Sequence, residues 1–396
     1  MKAAKFILTL TTSLFVIMGA AYTPSYILES QNKVLVATRN INDKTYNKEF
    51  KVKSGLTLKL NLKIGSDIQV ESWNKEIVSI NARIGGRSAK DIKVEFNETS
   101  DGIEVEASYE GNNNRNSDGM FTIKVPSKFN VNFSTMGGDV SLTGIDGLLS
   151  GKTMGGELIL RNLKGELELT TMGGDIELSE SDVDGFVKTM GGDIAFENVT
   201  GNIDAKSMGG DIKQKNVKRR NGETIGNETN VETMGGEIIV DEAAYGAKVK
   251  TMGGNITINK ASLFVDATTM GGDILIKSAD GWIKATTMGG DVEVNVKKSS
   301  TTGNGDIDIS SMGGDVTLYL PADFSMKLDL EIKYDQKHEN EVNINSDFKF
   351  NEERKGEWQN KNGNDIKYIY GTGSLNGGKH LVKIKTNNGN IYLKKN

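Results

Sequence analysis

Ten acidic or amide side chains, each directly after a Gly-Gly pair, have the clearest capacity for chemistry in this sequence. They are Asp139, Glu157, Asp175, Asp193, Asp211, Glu237, Asn255, Asp273, Asp291 and Asp315. Carboxylates stacked at the strand spacing of about 4.8 Å repel one another unless water or cations screen them. A calcium ladder is one interpretation, because hard cations prefer oxygen ligands. The Gly-Gly-x-Gly-x-Asp spacing of calcium-binding coils is missing, however. We therefore expect these side chains to face water and accept backbone N–H groups at the glycine corner.

A column of hydroxyl side chains precedes the same corners. Its members are Thr135, Thr153, Thr171, Thr189, Ser207, Thr233, Thr251, Thr269, Thr287 and Ser311. A flat, outward threonine ladder would suggest ice binding. Here Ser207 shares the phase of Ile203 and Ala205, which are expected to point inward. The alternation therefore predicts an inward hydroxyl ladder at the corner.

One methionine follows each hydroxyl residue. The column comprises Met136, Met154, Met172, Met190, Met208, Met234, Met252, Met270, Met288 and Met312. Strict alternation would point these side chains outward, whereas a bend at the corner would bury them. We favour burial, with methionine filling the core or the corner. An adhesive outer face and soft-metal binding by the thioethers are the alternatives.

Composition argues against most catalytic classes. The chain has no Cys and only two His, His338 and His380, which leaves little material for thiol or histidine chemistry. Polysaccharide cleavage needs carboxylates at one special place, yet here they recur in every unit.

Arg219 and Arg220 stand in an inserted loop and are expected to be solvated. A Gly-Gly phosphate cradle would need a following helix. We predict no catalytic, cofactor-binding or metal-ligating residue and no cofactor, and the net charge of −5 disfavours nucleic acid.

The elements that carry these columns repeat with one period. Successive Met-Gly-Gly units lie 18 residues apart, apart from one interval of 26 and one of 24. We interpret the longer intervals as loops inserted near 214–231 and 297–306. Apolar residues alternate with variable ones after each corner, as in Ile274 and Ile276, which is typical of a short strand. A strand, a turn, a second strand and a Gly-Gly corner make one coil, and stacked coils bury a continuous core. The sequence predicts an all-β fold, a β-solenoid of 18-residue coils with β flanking segments, and a right-handed parallel β-helix is favoured.

The chain organisation follows from the repeat and its flanks. Lys2 and Lys5 precede an apolar run and small residues, which predicts a signal peptide over 1–21. We expect a linker over 22–48 and an N-terminal β segment over 49–130. The ten-repeat solenoid is placed at 131–320 and a C-terminal β segment at 321–396. No second long apolar run follows, so no transmembrane segment is expected in the mature chain.

Several short motifs are similar to a known family. The segment Gly65-Ser66-Asp67-Ile68-Gln69-Val70-Glu71-Ser72-Trp73, the Val125-Pro126 step and the Gly-Gly-Asp-Ile units resemble the bacterial putative-adhesin family. The ending from Asn376-Gly377-Gly378 through Thr386 to Ile391 resembles its closing segment. This family is a domain of unknown function with β-strand repeats, and the resemblance covers about residues 50–396. It implies an exported β-solenoid, suggests adhesion and brings no catalytic residues.

The sequence thus predicts a non-catalytic exported protein, in the periplasm, at the cell surface or outside the cell. We expect an adhesin or envelope scaffold that binds a surface ligand, protein or polysaccharide, through a repeated face. A periplasmic sensing module, with specificity in the inserted loops, is the main alternative. A polysaccharide-active β-helix enzyme is the third.

Overall fold

A computed structural model describes residues 43–111, 117–220, 228–297, 304–354, 356–361 and 364–396. The expected signal segment and the linker up to residue 42 lie outside the described residues, as do 221–227 and 298–303 of the expected loops. No α-helix occurs in the described part of the chain, and no helix there is long and apolar enough to cross a membrane. The described residues therefore form an all-β structure with two short 3₁₀ turns, Ala89–Asp91 and Gln336–His338.

Seven strands precede the repeat: β1 (Lys44–Lys51), β2 (Thr57–Leu62), β3 (Ser66–Trp73), β4 (Ile77–Gly86), β5 (Ile92–Thr99), β6 (Gly102–Tyr109) and β7 (Ser117–Pro126). The repeat contains β8 (Asn130–Thr135), β9 (Val140–Thr143), β10 (Asp146–Thr153), β11 (Leu158–Arg161), β12 (Lys164–Thr171), β13 (Ile176–Lys188), β14 (Ile194–Thr200), β15 (Ile203–Lys206), β16 (Ile212–Lys218), β17 (Thr229–Glu232), β18 (Ile238–Ala243), β19 (Ala247–Lys250), β20 (Ile256–Ala261), β21 (Phe264–Thr268), β22 (Ile274–Ala279), β23 (Trp282–Thr287), β24 (Val292–Val296), β25 (Ile307–Ser311) and β26 (Val316–Leu320). The chain closes with β27 (Met326–Asp335), β28 (Ile344–Ser346), β29 (Asn351–Arg354), β30 (Gln359–Lys361), β31 (Asn364–Leu375), β32 (His380–Asn387) and β33 (Ile391–Lys395).

Strands of successive units pair in parallel and in register, apart from an irregularity between Ile276 and Ala279 where β22 pairs with β24. Leu158 pairs with Ile176, and Ile176 pairs with Ile194, 18 residues further on. The longer units keep the same register, since Ile212 pairs with Ile238 and Val292 pairs with Val316. The strands before the corners form one parallel stack and the strands after the corners form the other, so that each coil has two sides. The prediction of an all-β solenoid with an 18-residue coil is confirmed.

The core lies between the two stacks. Alternate residues of both strands point inward and are almost fully buried, such as Ile194 and Phe196 after one corner and Val187 before it. Burying such side chains contributes roughly 1.5–3 kcal/mol each. Because no unit can cover its own inner face, this stabilisation exists only between stacked neighbours.

The two ends of the stack are built alike. The coil of β2 and β3 lies between the coil of β6 and β7 and that of β8 and β9. At the other end, the coil of β32 and β33 lies between that of β25 and β26 and that of β27 and β28. Parallel stacking thus continues past residues 130 and 320. The segment boundaries proposed there stay a prediction.

Candidate functional site: the repeated corner

Each inward hydroxyl ties its corner to the preceding coil. In the unit of Thr189, the hydroxyl donates to the Gly174 carbonyl oxygen at 2.9 Å and accepts the Gly192 amide at 3.2 Å. All ten members of the column are buried, with at most 2% of each residue exposed. The inward ladder expected from the alternation is therefore present, and an outward ice-binding face of these residues is not.

The second glycine of each pair fits where no side chain can. A Cβ atom at Gly192 would overlap the carbonyl group of Gly174 in the preceding coil, and the same overlap recurs at the equivalent glycines. The close approach of two coils at the corner therefore requires glycine at this position.

The Asp and Asn members of the acidic column form a ladder of side chain-to-backbone hydrogen bonds, whereas within the described residues Glu157 and Glu237 accept no amide of the following coil. The Asp193 amide donates to Oδ1 of Asp175 at 2.7 Å, and the Asp211 amide donates to Oδ1 of Asp193 at 2.8 Å. Asn255 serves equally well, because its Oδ1 accepts the Asp273 amide at 2.8 Å. An amide can take the place of a carboxylate, so the ladder needs an acceptor oxygen rather than a charge. This agrees with the solvated, amide-accepting role expected from the sequence.

The methionine column is exposed, so the expectation that it fills the core or the corner is wrong. Between 39% and 57% of each of the ten residues is accessible, from Met208 to Met136. The alternation runs on for one residue past the buried hydroxyl before the chain turns. The bend occurs at the Gly-Gly pair that follows, which leaves each methionine on the outer surface.

The first glycine of each pair lies beside this methionine and is exposed in nine of the ten units. A Cβ atom at Gly191 would lie 3.5 Å from the nearest atom, the Gly173 carbonyl oxygen, which is ordinary van der Waals contact. Gly173, Gly289 and Gly313 have similar room. Packing does not require glycine at these four positions. A Cβ atom would be crowded at Gly209 and Gly253, 3.2 Å from a carbonyl oxygen, and would overlap at Gly235, 2.9 Å from the Gly209 carbonyl oxygen. No unit carries a side chain at this position. We call the ten methionines and the ten first glycines the Met–Gly edge.

One further corner shows which residues the architecture needs. Between β32 and β33, Thr386 donates to the Gly314 carbonyl oxygen at 2.7 Å and the Asn390 amide donates to Oδ1 of Asp315 at 2.7 Å. Gly389 replaces the second glycine and faces the same overlap with Gly314. Asn387 and Asn388 stand where the ten units have Met and the first Gly. The corner therefore forms without the Met–Gly edge, and the sequence Thr386-Asn387-Asn388-Gly389-Asn390 already carries this contrast with the repeats.

Charged residues flank part of the edge. Lys206, Glu232 and Lys250 precede three hydroxyl residues in consecutive coils. The Lys206 ammonium donates to Glu232 at 2.7 Å. This hydrogen bond is the largest of the effects that lower the pKa of the Glu232 carboxyl; the charges of Lys206 and Lys250 act in the same direction and burial opposes them.

The expectation that both arginines of the inserted loop are solvated is wrong for Arg219, which is buried, whereas Arg220 is exposed and ion-paired. Arg219 is 8% exposed, and its guanidinium donates to the Ile203 carbonyl oxygen at 2.9 Å and to Asp204 at 3.2 Å. Arg220 pairs with Asp182 and Asp184, both on β13 of an earlier coil. The loop begins by lying back over coils already formed, which brings carboxylates to both side chains.

Clusters of His, Asp and Glu side chains would be another source of metal ligands. No group of three or more His, Asp or Glu side chains suited to a metal ion occurs in the part of the chain that the structure describes. The prediction that the chain has no catalytic, cofactor-binding or metal-ligating residues stays a prediction.

Comparisons with known proteins place the chain in a family. No curated protein matches it. Solved structures with similarity include a putative cell adhesion protein from Clostridium sporogenes, with 12% identity over 89% of this chain and 100% of that chain and a TM-score of 0.18. A putative adhesin from Bacteroides fragilis has 14% identity over 88% and 97%, with a TM-score of 0.17. A putative lipid binding protein from Parabacteroides distasonis has 13% identity over 89% and 97%, with a TM-score of 0.24.

A family model matches more than half of the chain. The model of the family described as Toastrack DUF4097 matches residues 186–394, which is more than half of the 396 residues. Its match includes seven of the ten Met-Gly-Gly corners and the Asn387-Asn388 corner. The sequence resemblance to a family of unknown function with β-strand repeats is confirmed, and the chain belongs to the Toastrack family.

Proposed function

We propose that this protein is a non-catalytic rod that holds a partner along its Met–Gly edge. The observation that carries the proposal is the contrast between the ten repeat corners and the corner at Asn387. All of them close with a buried hydroxyl that donates to a carbonyl oxygen of the preceding coil, but among these corners only the ten repeats expose methionine beside a bare glycine. Residues that recur ten times on the surface, and without which the corner at Asn387 still closes, fit a role in recognition.

The edge suits binding by many weak contacts. Neighbouring methionines are one coil apart, about 4.8 Å, so ten coils present a line about 43 Å long. Methionine adapts its shape to a partner through three rotatable bonds, and the bare glycines let a partner approach the backbone. One methionine contributes little, but identical contacts engaged together raise the total affinity steeply.

Adhesion outside the cytoplasm is the role that we propose for this rod. Two of the structures similar to this chain are named as a putative adhesin and a putative cell adhesion protein. The basic and apolar start of the sequence supports export. A surface ligand with its own repeat, a polysaccharide or a fibrous protein, would match the period of the edge.

Labelling with an antibody against residues 43–396 tests the location. Intact cells of the producing organism are compared with permeabilised cells. Staining of intact cells is expected for a surface adhesin. Signal that needs permeabilisation would contradict surface adhesion and restrict the rod to a scaffold inside the envelope.

Binding of the purified protein to isolated cell-envelope fragments tests the edge. Replacing Met172, Met190 and Met208 by Ser should weaken binding more than threefold, because consecutive contacts act together. The matched control replaces Ile159, Ile239 and Leu275 by Ser, which removes outward apolar side chains away from the edge. Equal losses in the two variants would contradict a role specific to the Met–Gly edge.

A further inference from the structure

The exposed column contains methionine in all ten units, although exposure alone would accept other apolar residues. One inward position is far less strict: the residue three places after the acidic one is Leu160, Phe196, Gln214 or Val240 in different units. Outward positions vary even more, with Ile159, Glu177, Ala195 and Lys213 in one column. Several other positions of the repeat have therefore diverged while the thioether recurs at this one. Besides its flexibility, the property that sets methionine apart from other apolar residues is its sulfur.

The thioether sulfur of methionine differs from a methylene group chiefly because it can coordinate a metal ion. Thioether sulfur is a soft donor and selects soft monovalent cations such as Cu(I), whereas calcium and magnesium take oxygen. The column offers a soft donor without competing cysteine, which the chain lacks. The acidic ladder three residues away already accepts backbone amides through Oδ1 of Asp175 and Asp193. The methionines are thus the soft ligands that the repeat presents to solvent.

The spacing of the column fits a cation held between neighbours. A metal–sulfur bond of about 2.3 Å, the length in zinc thiolate sites, puts two sulfurs about 4.6 Å apart across a linear ion. Stacked coils place equivalent residues about 4.8 Å apart, and the methionine side chain can adjust by that difference. Consecutive coils are in contact at this edge, since the Met252 amide lies 3.3 Å from the Met234 carbonyl oxygen and the Gly271 amide lies 3.0 Å from that of Met252.

We propose that the methionine column binds soft monovalent cations of the Cu(I) and Ag(I) type, each bridged by the thioethers of adjacent coils. The inference uses the Met–Gly edge but does not depend on adhesion. With two sulfurs for each ion, ten methionines give a capacity of five ions. Binding by bridging also requires neighbours, so the arrangement of the methionines matters as much as their number.

Isothermal titration calorimetry with Ag(I), on the purified protein and on two variants of equal composition, tests the proposal. The alternating variant replaces Met154, Met190, Met234, Met270 and Met312 by Leu, which leaves five methionines two coils apart. The block variant replaces Met136, Met154, Met172, Met190 and Met208 by Leu, which leaves five adjacent methionines. The block variant should keep about two of the five ions, and the alternating variant should lose at least tenfold in affinity. Equal binding by the two variants would overturn bridging.

Norleucine in place of every methionine supplies the second test, because it removes sulfur and keeps the shape of the side chain. Circular dichroism and thermal melting show whether each protein is folded. The norleucine protein should lose Ag(I) binding, and Met120→Leu, at an isolated exposed methionine, should not change it. Unchanged Ag(I) binding by the folded norleucine protein would overturn the proposal. Failure of envelope binding together with intact Ag(I) binding would instead count against adhesion alone.

Discussion

At the scale of single residues, the two glycines of a corner look equivalent in the sequence but have different roles. Gly192 lies against the carbonyl group of Gly174, whereas Gly191 has space for a methyl group. The hydroxyl of Thr189 and the acceptor oxygen of Asp175 complete the corner. Three of the five corner positions are therefore fixed by stacking, and the other two face outward.

Substitution of the two glycines separates these roles. Gly192→Ala should destabilise the protein by about 1–3 kcal/mol or more, because the new methyl group overlaps backbone that cannot move without its neighbours. Gly191→Ala is the matched control and should change stability by less than about 0.5 kcal/mol. Urea denaturation of both variants measures the difference. A comparable loss in both would show that the first glycine is also structural, and would weaken the case for the Met–Gly edge.

The acidic ladder gives a second prediction at this scale. Asp193→Asn should leave stability nearly unchanged, since Asn255 already fills this role. Asp193→Ala removes the acceptor of the Asp211 amide and should cost about 0.5–1.5 kcal/mol. Thermal melting in the presence and absence of calcium checks both values. Stabilisation of the native protein by calcium that is lost in Asp193→Asn would contradict a ladder of acceptors and favour a cation site.

At the scale of the strand and the corner, period-two alternation was a good guide to the fold. It predicted the strands and the inward hydroxyls, because burial on one face of a strand leaves a direct signature in the sequence. The spacing of the Met-Gly-Gly units predicted the 18-residue coil. It could not locate the bend. Whether Met190 points in or out depends on where the chain turns, and stacking of Gly192 on Gly174 decides this. The paired environment of Arg219 was equally out of reach, since it depends on how the loop folds back on Asp204.

The ion pair between Lys206 and Glu232, which joins two coils beside the Met–Gly edge, should contribute to stability in a pH-dependent way. The lowered pKa of Glu232 means that its contribution to stability is complete above the usual value near 4.5 and is lost as the pH falls through the lowered pKa. Glu232→Gln should therefore be slightly less stable than the native protein at pH 7, by a small amount because the pair is partly exposed. Thermal melting from pH 7 to pH 2 should show this difference disappear at the acidic end. A difference that grows as the pH falls would contradict the assignment.

At the scale of the whole molecule, the ends differ from the repeat in strand order and direction. The coil of β2 and β3 lies inside that of β6 and β7, and β1, β4 and β5 add antiparallel pairs. Strand β5 has only β6 beside it among the described strands and carries Lys93, Glu95 and Glu98. Charges on an edge strand hinder pairing with another chain. Alternation identifies such strands but not their order, because the order depends on pairing between distant segments.

The interior of the rod should tolerate the loss of one complete unit. Deleting Met154–Thr171 joins Thr153 to Met172. Strand β9 then pairs with the first half of β13, from Ile176, and β10 pairs with the second half of β13, each in the register that β11 and β12 had. Each coil contacts only its neighbours, so the shortened protein should fold, melt within a few degrees of the native protein and be about 4.8 Å shorter by small-angle scattering. Deleting only 154–162 is the control. It removes half a coil, sends each following strand to the wrong stack and should prevent folding. If the 18-residue deletion also failed to fold, the repeats would not be interchangeable, and a ligand that spans the edge could not be matched to a simple period.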